Sequence, residues 1–301
     1  MNKQELAAMV AEILRQMQPE PMVKGEYLPR AAGAEKKDFR HKDGDFVTDV
    51  TELDLRKLYL VDSPANEEKY RKMKEKTPAR LGSGMAGARY KTLTMLRFRA
   101  DHAAAQDSVF SEVDTEFAKK YDLLPTKTRC DSKDEYLTRP DLGRCFDEHN
   151  AKTIKGVIDT PPKVQIVVGD GLSSAAIEAN AMDCLAAIRD GLKLQGIELG
   201  KSIFVKYCRV GAGDAVGDIT GCELVCVLVG ERPGLVTDKS MSAYITYKPH
   251  TGVSESSRTV VSNIHAQGTP AVEAGAYIAE LIGRILEKKV SGVGFAVEAT
   301  R

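Results

Sequence analysis

The chain has 301 residues, 43% of them hydrophobic, and its 43 Lys+Arg and 43 Asp+Glu cancel to a net charge of zero. That length holds one large domain or two modest ones with a real core, and the charge balance gives no reason to expect nucleic acid or an anionic membrane as partner. No apolar run is long enough to cross a bilayer, and Met1 to Gln18 lacks the basic start and apolar core of a signal peptide. A neutral surface protects poorly against self-association, which suits a subunit that has partners. None of the six cysteines falls in a CxxC pair, and the five histidines show no metal-ligand spacing. The cysteines are expected to be buried, reduced thiols of a cytosolic protein.

Met1 to Met17 reads as an amphipathic helix: Leu6, Val10, Ile13, Leu14 and Met17 recur at steps of three and four. Pro19 and Pro21 end it. The stretch that follows is dense in charge and without period, as a linker would be. The helix either caps the main domain or serves as a docking tag for a partner helix or a shell protein. Val50 to Lys76 is expected to be helical, with Leu53, Leu55, Leu58 and Leu60 as its apolar face and a break at Ser63-Pro64. Gly82-Ser83-Gly84-Met85-Ala86-Gly87, followed by Arg89 and Lys91, is either an anion-wrapping turn or a loop entering a helix. Thr92 to Ala105 is a helix, and Val113, Phe117, Tyr121 and Leu124 extend the periodicity over Val109 to Leu124. Pro140 can open a further helix, and Arg139 and Arg144 either pair across an interface or form surface salt bridges.

After Pro161-Pro162 the pattern changes. Val164-Gln165-Ile166-Val167-Val168 is short and nearly all apolar, as a strand buried on both faces should be. A Gly169–Leu172 turn follows, with Ser173 and Ser174 as N-cap candidates for a helix running to Leu194. Ile203 to Val210, Glu223 to Val229 and Tyr244 to Tyr247 are further strands, and a last helix starts with Thr269 as N-cap and Pro270 at its first position. The expected organisation is an amphipathic helix and linker over 1–45, a helical region over 46–160 and a Rossmann-like, mostly parallel α/β sheet over 161–301.

Gly230-Glu231-Arg232-Pro233-Gly234-Leu235 ends the Leu224–Val229 run and, with Gly169–Ser174 and Arg209-Val210-Gly211, should build a ligand edge at strand carboxyl ends. Such an edge suits a large, flat, polyamide ligand. Glu231 either accepts an N–H from a ligand amide or pairs with a nearby arginine. Gly211-Ala212-Gly213-Asp214-Ala215-Val216-Gly217 follows a strand, but its spacing is GxGxxxG and no helical pattern opens after it. Dinucleotide binding, which needs that helix, is therefore disfavoured. A stand-alone Rossmann-like nucleotide-binding enzyme remains the alternative. No GxSxG, GxxxxGK[ST] or HExxH occurs.

Met95–His102, Tyr136–Arg144, Gly169–Ser173, Val229–Leu235, Ser262-Asn263-Ile264-His265 and Gly268-Thr269-Pro270 run in order through the chain. Jointly they resemble the small (light) subunit of ethanolamine ammonia-lyase, over about Leu81 to Gly292, with a looser match before that. The resemblance implies adenosylcobalamin as coenzyme, held between this subunit and a large subunit whose (β/α)8 barrel contains the substrate. It implies a non-catalytic role for this chain in a carbon–nitrogen lyase that converts ethanolamine to acetaldehyde and ammonia. Cobalamin contacts carry over onto Val210, Glu231 and Val260. A cysteine is familiar at the third place, so a backbone or packing contact survives the valine and a thiol contact does not. No Asp-x-His-x-x-Gly is present, which fits a cobalamin that keeps its own base as axial ligand. The family also implies a cytoplasmic location within a bacterial microcompartment, reached through an N-terminal extension of the form seen at Leu6–Met17.

Overall fold

The computed structural model describes residues 49–299. The helix expected over Met1–Met17 and its linker lie outside them. A six-stranded sheet organises the fold, with strands side by side in the order β3 (Leu124–Lys127), β5 (Ile203–Lys206), β4 (Val164–Asp170), β6 (Leu224–Gly230), β7 (Met241–Tyr247) and β8 (Arg258–Ile264). The first four pair in parallel; β7 and β8 continue the sheet antiparallel. β4 and β6 are buried at every residue, so their apolar runs have no polar alternation.

Two helical layers cover the sheet. On one face α6 (Ser174–Leu194) and α8 (Ala271–Lys288) pack over Ile166, Val168, Cys226, Leu228, Ala243 and Ile245. On the other, α5 (Glu148–Gly156) and α7 (Ala212–Thr220) pack over Val167, Val205, Val225 and Val227. Each fully buried aliphatic side chain contributes about 1.5–3 kcal/mol. Ser173 caps α6 by accepting from the Ala176 N–H at 3.0 Å, and Gly196 (φ 68°) follows its end, as the sequence indicates. The connection from β4 leads through α6 to β5 on one side, and the connection from β5 returns through α7 to β6 on the other. The carboxyl ends of β4 and β6 therefore flank a point where the strand order reverses, which is where open α/β sheets hold ligands.

Several expected elements differ. Val50 to Lys76 is mostly non-helical: a single 3-10 turn at Val50–Glu52 and α1 (Glu67–Glu75), capped by Asn66, are its helices. Leu53, Leu55, Leu58 and Leu60 lie on the non-helical stretch between, with Leu55 buried. Gly82–Gly87 closes a small hairpin of β1 (Met85–Ala86) and β2 (Arg89–Tyr90), and Lys91 is taken by Asp62 at 2.7 Å. α2 (Thr92–Phe110) stops at Ser111 instead of continuing to Leu124. The reason lies across the chain: Asp170 accepts the Val113 N–H at 3.1 Å, and the Ser111 carbonyl accepts from Ser174 and Lys133. These buried partners replace the helical ones, so α3 covers Phe117–Lys120 alone and Leu124 opens β3. The spacing of Val113 and Phe117 reflects their shared core. The stretch 46–160 thus supplies the sheet's edge strand as well as helices. Arg139 pairs with Asp141 at 2.8 Å on the surface after α4 (Lys133–Thr138), and a 3-10 turn at Leu142–Arg144 follows. The last long helix begins one residue later than expected, with Pro270 as N-cap. α9 (Val293–Ala299) follows it.

The sharpest difference is α7. A nine-residue helix does open after Gly211. Ala212, Val216 and Thr220 recur every fourth residue and are buried. Gly213 and Gly217 allow close approach: a Cβ would come within 2.5 Å of Val227 at the first and of Pro249 at the second. Asp214 makes a bidentate pair with Arg258 of β8, at 2.8 and 2.7 Å, with both side chains almost fully buried. That pair fixes α7 to the antiparallel end of the sheet.

Candidate functional site

The carboxyl ends of β4, β5 and β6 converge on a depression of 310 Å³ lined by Tyr136, Leu172, Arg209, Val210, Glu231, Tyr244 and their neighbours. Local backbone builds it. β5 ends earlier than its apolar run, at Lys206, because Tyr207 adopts φ 58° and turns the chain. The turn delivers Cys208, Arg209 and Val210 to the rim. Gly171 and Gly230 let the β4 and β6 ends close against each other, with the Leu172 N–H donating to the Gly230 carbonyl at 3.2 Å. A Cβ on Gly230 would lie 2.0 Å from the Ser173 carbonyl oxygen.

Glu231 is half-buried and sits just past β6. Its N–H donates to the Ser240 carbonyl at 2.9 Å, and its carboxylate accepts from the Ser242 hydroxyl. It makes no ion pair among the described residues, so of the two readings the arginine partner is not the one seen. Burial raises the Tyr244 hydroxyl above its usual pKa, and the adjacent Glu231 carboxylate adds to the rise. Val210 lines the same depression. Val260 does not, but it is paired in register with Tyr244, which does. Val260 is 46% exposed, on the face of the sheet that carries Arg258 and Tyr244. The three positions therefore border one surface: Val210 and Glu231 at its strand-end rim, and Val260 on the adjoining sheet face with Tyr244 between.

Arg209, Tyr136 and Tyr244 complete the surface; the sequence sets Arg209 on the ligand edge and Tyr136 in a stretch that carries the resemblance, but gives none of the three a role. Tyr136 is buried, and its hydroxyl donates to the Cys208 carbonyl at 3.2 Å. The Arg209 guanidinium lies 4.3 Å from the centre of the Tyr136 ring. Behind them, Lys133 donates to the Gly171 carbonyl at 3.0 Å, and burial pushes its ammonium pKa down. Burial likewise raises the Asp170 carboxyl and the Cys208 thiol.

Two other stretches that carry the resemblance lie in local hydrogen-bond and ion-pair networks. Asp101 is gripped by Arg80 and Arg97, each at 2.8 Å, and Arg80 also donates to the Leu235 carbonyl at 2.5 Å. The α2 stretch Met95–His102 thus anchors the turn that carries Glu231, while His102 is exposed. At the end of β8, Asn263 (φ 62°) bonds His265 at 2.7 Å. A larger depression of 670 Å³ lies near Asp54, Lys74 and Thr77. Three of its cations are engaged locally, Arg56 by Asp54, Arg71 by Glu67 and Lys74 by the Leu55 carbonyl.

α7 removes the earlier reason for setting aside a dinucleotide cradle, but its geometry supplies another. The N–H groups that open the helix are already bonded: Ala212 to the Arg209 carbonyl, Gly213 to Val210 and Asp214 to Gly211, at 2.9, 3.0 and 3.2 Å. A phosphate at a helix N-terminus needs those groups free. No helix among the described residues is long and apolar enough to cross a membrane.

The family described as Ethanolamine ammonia-lyase light chain (EutC) matches residues 67–295. A protein of Clostridium perfringens named Ethanolamine ammonia-lyase small subunit is 58% identical over 294 residues, 97% of this chain and 99% of that protein. Proteins of the same name from Clostridioides difficile and Listeria innocua are 55% and 54% identical, with the same coverage of each chain. The chain belongs to the ethanolamine ammonia-lyase light-chain family.

Proposed function

We propose that the chain is the small subunit of an adenosylcobalamin-dependent ethanolamine ammonia-lyase and forms one wall of the coenzyme site, facing a large subunit that holds the substrate. The observation that carries this reading is the open, two-part surface itself. A 310 Å³ depression adjoins an uncovered sheet face at Tyr244 and Val260. Enclosed ligand sites bury most of their ligand within the pocket; this one is too shallow to enclose a corrinoid and needs a second wall. The groups present fit such a ligand. A carboxylate (Glu231) and a guanidinium (Arg209) match the donors and acceptors of amide side chains, while Val210 and Val260 offer apolar contact to a flat ring. Valine at position 260 makes that contact a packing or backbone one.

When bound, the coenzyme supplies radical chemistry through homolysis of its cobalt–carbon bond. This chain's part is to bind and orient it and to exclude water from one side. We assign no proton-transfer or radical-handling residue here. Glu231 is engaged by Ser242, Cys208 is held as a protonated thiol, and His102, His149 and His250 are exposed away from the depression. The amphipathic stretch Leu6–Met17 is proposed to direct the enzyme into a bacterial microcompartment through a shell protein; fusing Met1–Gln18 to a reporter should bring it into shells, and a diffuse reporter would count against it.

Co-expression with a large subunit tests the reading. Ethanolamine deamination that requires added adenosylcobalamin is the expected result. A stable complex without activity in the coenzyme's presence would overturn it.

A further inference from the structure

We propose that Arg209 is a further coenzyme contact, and that with Glu231 it recognises one primary carboxamide: the guanidinium donates to the amide oxygen and the carboxylate accepts from the amide NH2. This rests on the corrinoid reading above, since a corrin ring carries such carboxamides around its rim.

Charge decides the ligand class. Arg209 and Glu231 line the same depression but are not paired with each other; the first bonds the Tyr136 carbonyl and the second the Ser242 hydroxyl. An anionic ligand group would meet the carboxylate, and a cationic one would meet the guanidinium. A neutral group with an acceptor and a donor side by side satisfies both, and a primary carboxamide is that group. Arg209 also has donors to spare. Of the five N–H bonds of a guanidinium, one is used among the described residues, from Nη2 to the Tyr136 carbonyl at 2.8 Å. Nε is buried with no partner among the described residues. Arg209 is half-buried and lines the depression, so its remaining donors can serve a ligand acceptor there.

The chain goes to some length to hold that guanidinium still. The Tyr136 ring lies beneath it at 4.3 Å and is itself stacked on Tyr207 at 6.1 Å between ring centres. The Arg209 N–H donates to the Gly143 carbonyl at 2.9 Å. Gly143 leaves room for the aliphatic part of Arg209, where a Cβ would come within 2.8 Å of its Cγ. The Tyr136–Arg144 stretch thus acts as a mount for Arg209, with Tyr136 as a positioning residue.

The test uses the complex with the large subunit and equilibrium dialysis of cyanocobalamin, which reads binding without turnover. Arg209→Met should weaken binding at least tenfold, about 1.4 kcal/mol, and Arg209→Lys nearly as much, because a lysine neither stacks nor forks. Tyr136→Phe should retain most of the affinity and Tyr136→Leu should lose it. A second readout uses cyanocobalamin monocarboxylates, in which one side-chain amide is hydrolysed. Wild-type complex should discriminate against a single isomer, the one that sets a carboxylate against Glu231, and Glu231→Gln should relieve that discrimination. Equal affinities for all isomers, or wild-type affinity in Arg209→Met or Arg209→Lys, would overturn this inference alone. A wild-type complex that binds no cyanocobalamin would instead overturn the function proposed above.

Discussion

Replacing Asp214 with asparagine should loosen the whole of the proposed coenzyme wall. Arg258 and Asp214 are 3% and 7% exposed at their side chains and bond at two points. Asparagine keeps the shape but removes the charge and one acceptor. Glu255 also bonds Arg258, but it is 76% exposed and its attraction is screened. The Arg258 guanidinium is then left inside the protein without a buried counter-charge. Breaking a buried pair in this way costs about 3–5 kcal/mol. For a domain of this size that lowers the melting temperature by roughly 6–20 °C. The effect should reach the site, because α7 leads directly out of Val210 while Arg258 stands two residues before Val260. The assay is thermal unfolding of the full chain by circular dichroism, paired with cyanocobalamin affinity of the complex. The double variant Asp214→Leu/Arg258→Met, which removes both charges, should recover most of the lost stability. A melting temperature for Asp214→Asn within about 2 °C of wild type, less than 1 kcal/mol, would refute the reasoning.

Two further outcomes follow from the same packing. Gly230→Ala places a methyl group against the Ser173 carbonyl and should destabilise the chain by about 1–3 kcal/mol, measurable by urea unfolding; an unchanged midpoint would contradict the close approach. Glu112 accepts from Lys206 and the Tyr207 hydroxyl at 2.7 and 2.5 Å, and these bonds hold its carboxyl below 4.5. A lowered acid contributes stability that is present above the unfolded pKa and lost as pH falls through the folded one. The advantage of wild type over Glu112→Gln should therefore be constant at neutral pH and shrink below about pH 4.5; a gap that widens on acidification would contradict it.

What the sequence disclosed was local. β4 and β6 were readable because strands buried on both faces need unbroken apolar runs, and α6 because Ser173 and its stripe mark a start and a face. α7 was not readable: glycines fill the positions where it meets Val227 and Pro249, and glycine registers as a loop signal. Its stabilising partner, Arg258, lies 44 residues away. The apparent helix over Val109–Leu124 failed for the same kind of reason, since its backbone groups are claimed by Asp170, Ser174 and Lys133 from distant elements. At the site, Glu231 was legible as a carboxylate following a strand. The mounting of Arg209 on Tyr136, 73 residues away, could only come from the fold.

The most direct test of the central claim is the cyanocobalamin affinity of the two-subunit complex carrying Glu231→Ala, with assembly verified by gel filtration. If this chain forms a wall of the coenzyme site, loss of the carboxylate should weaken binding about tenfold, the value of a hydrogen bond to a charged group. Wild-type affinity in the intact variant complex would reduce the chain to a scaffold and contradict the account.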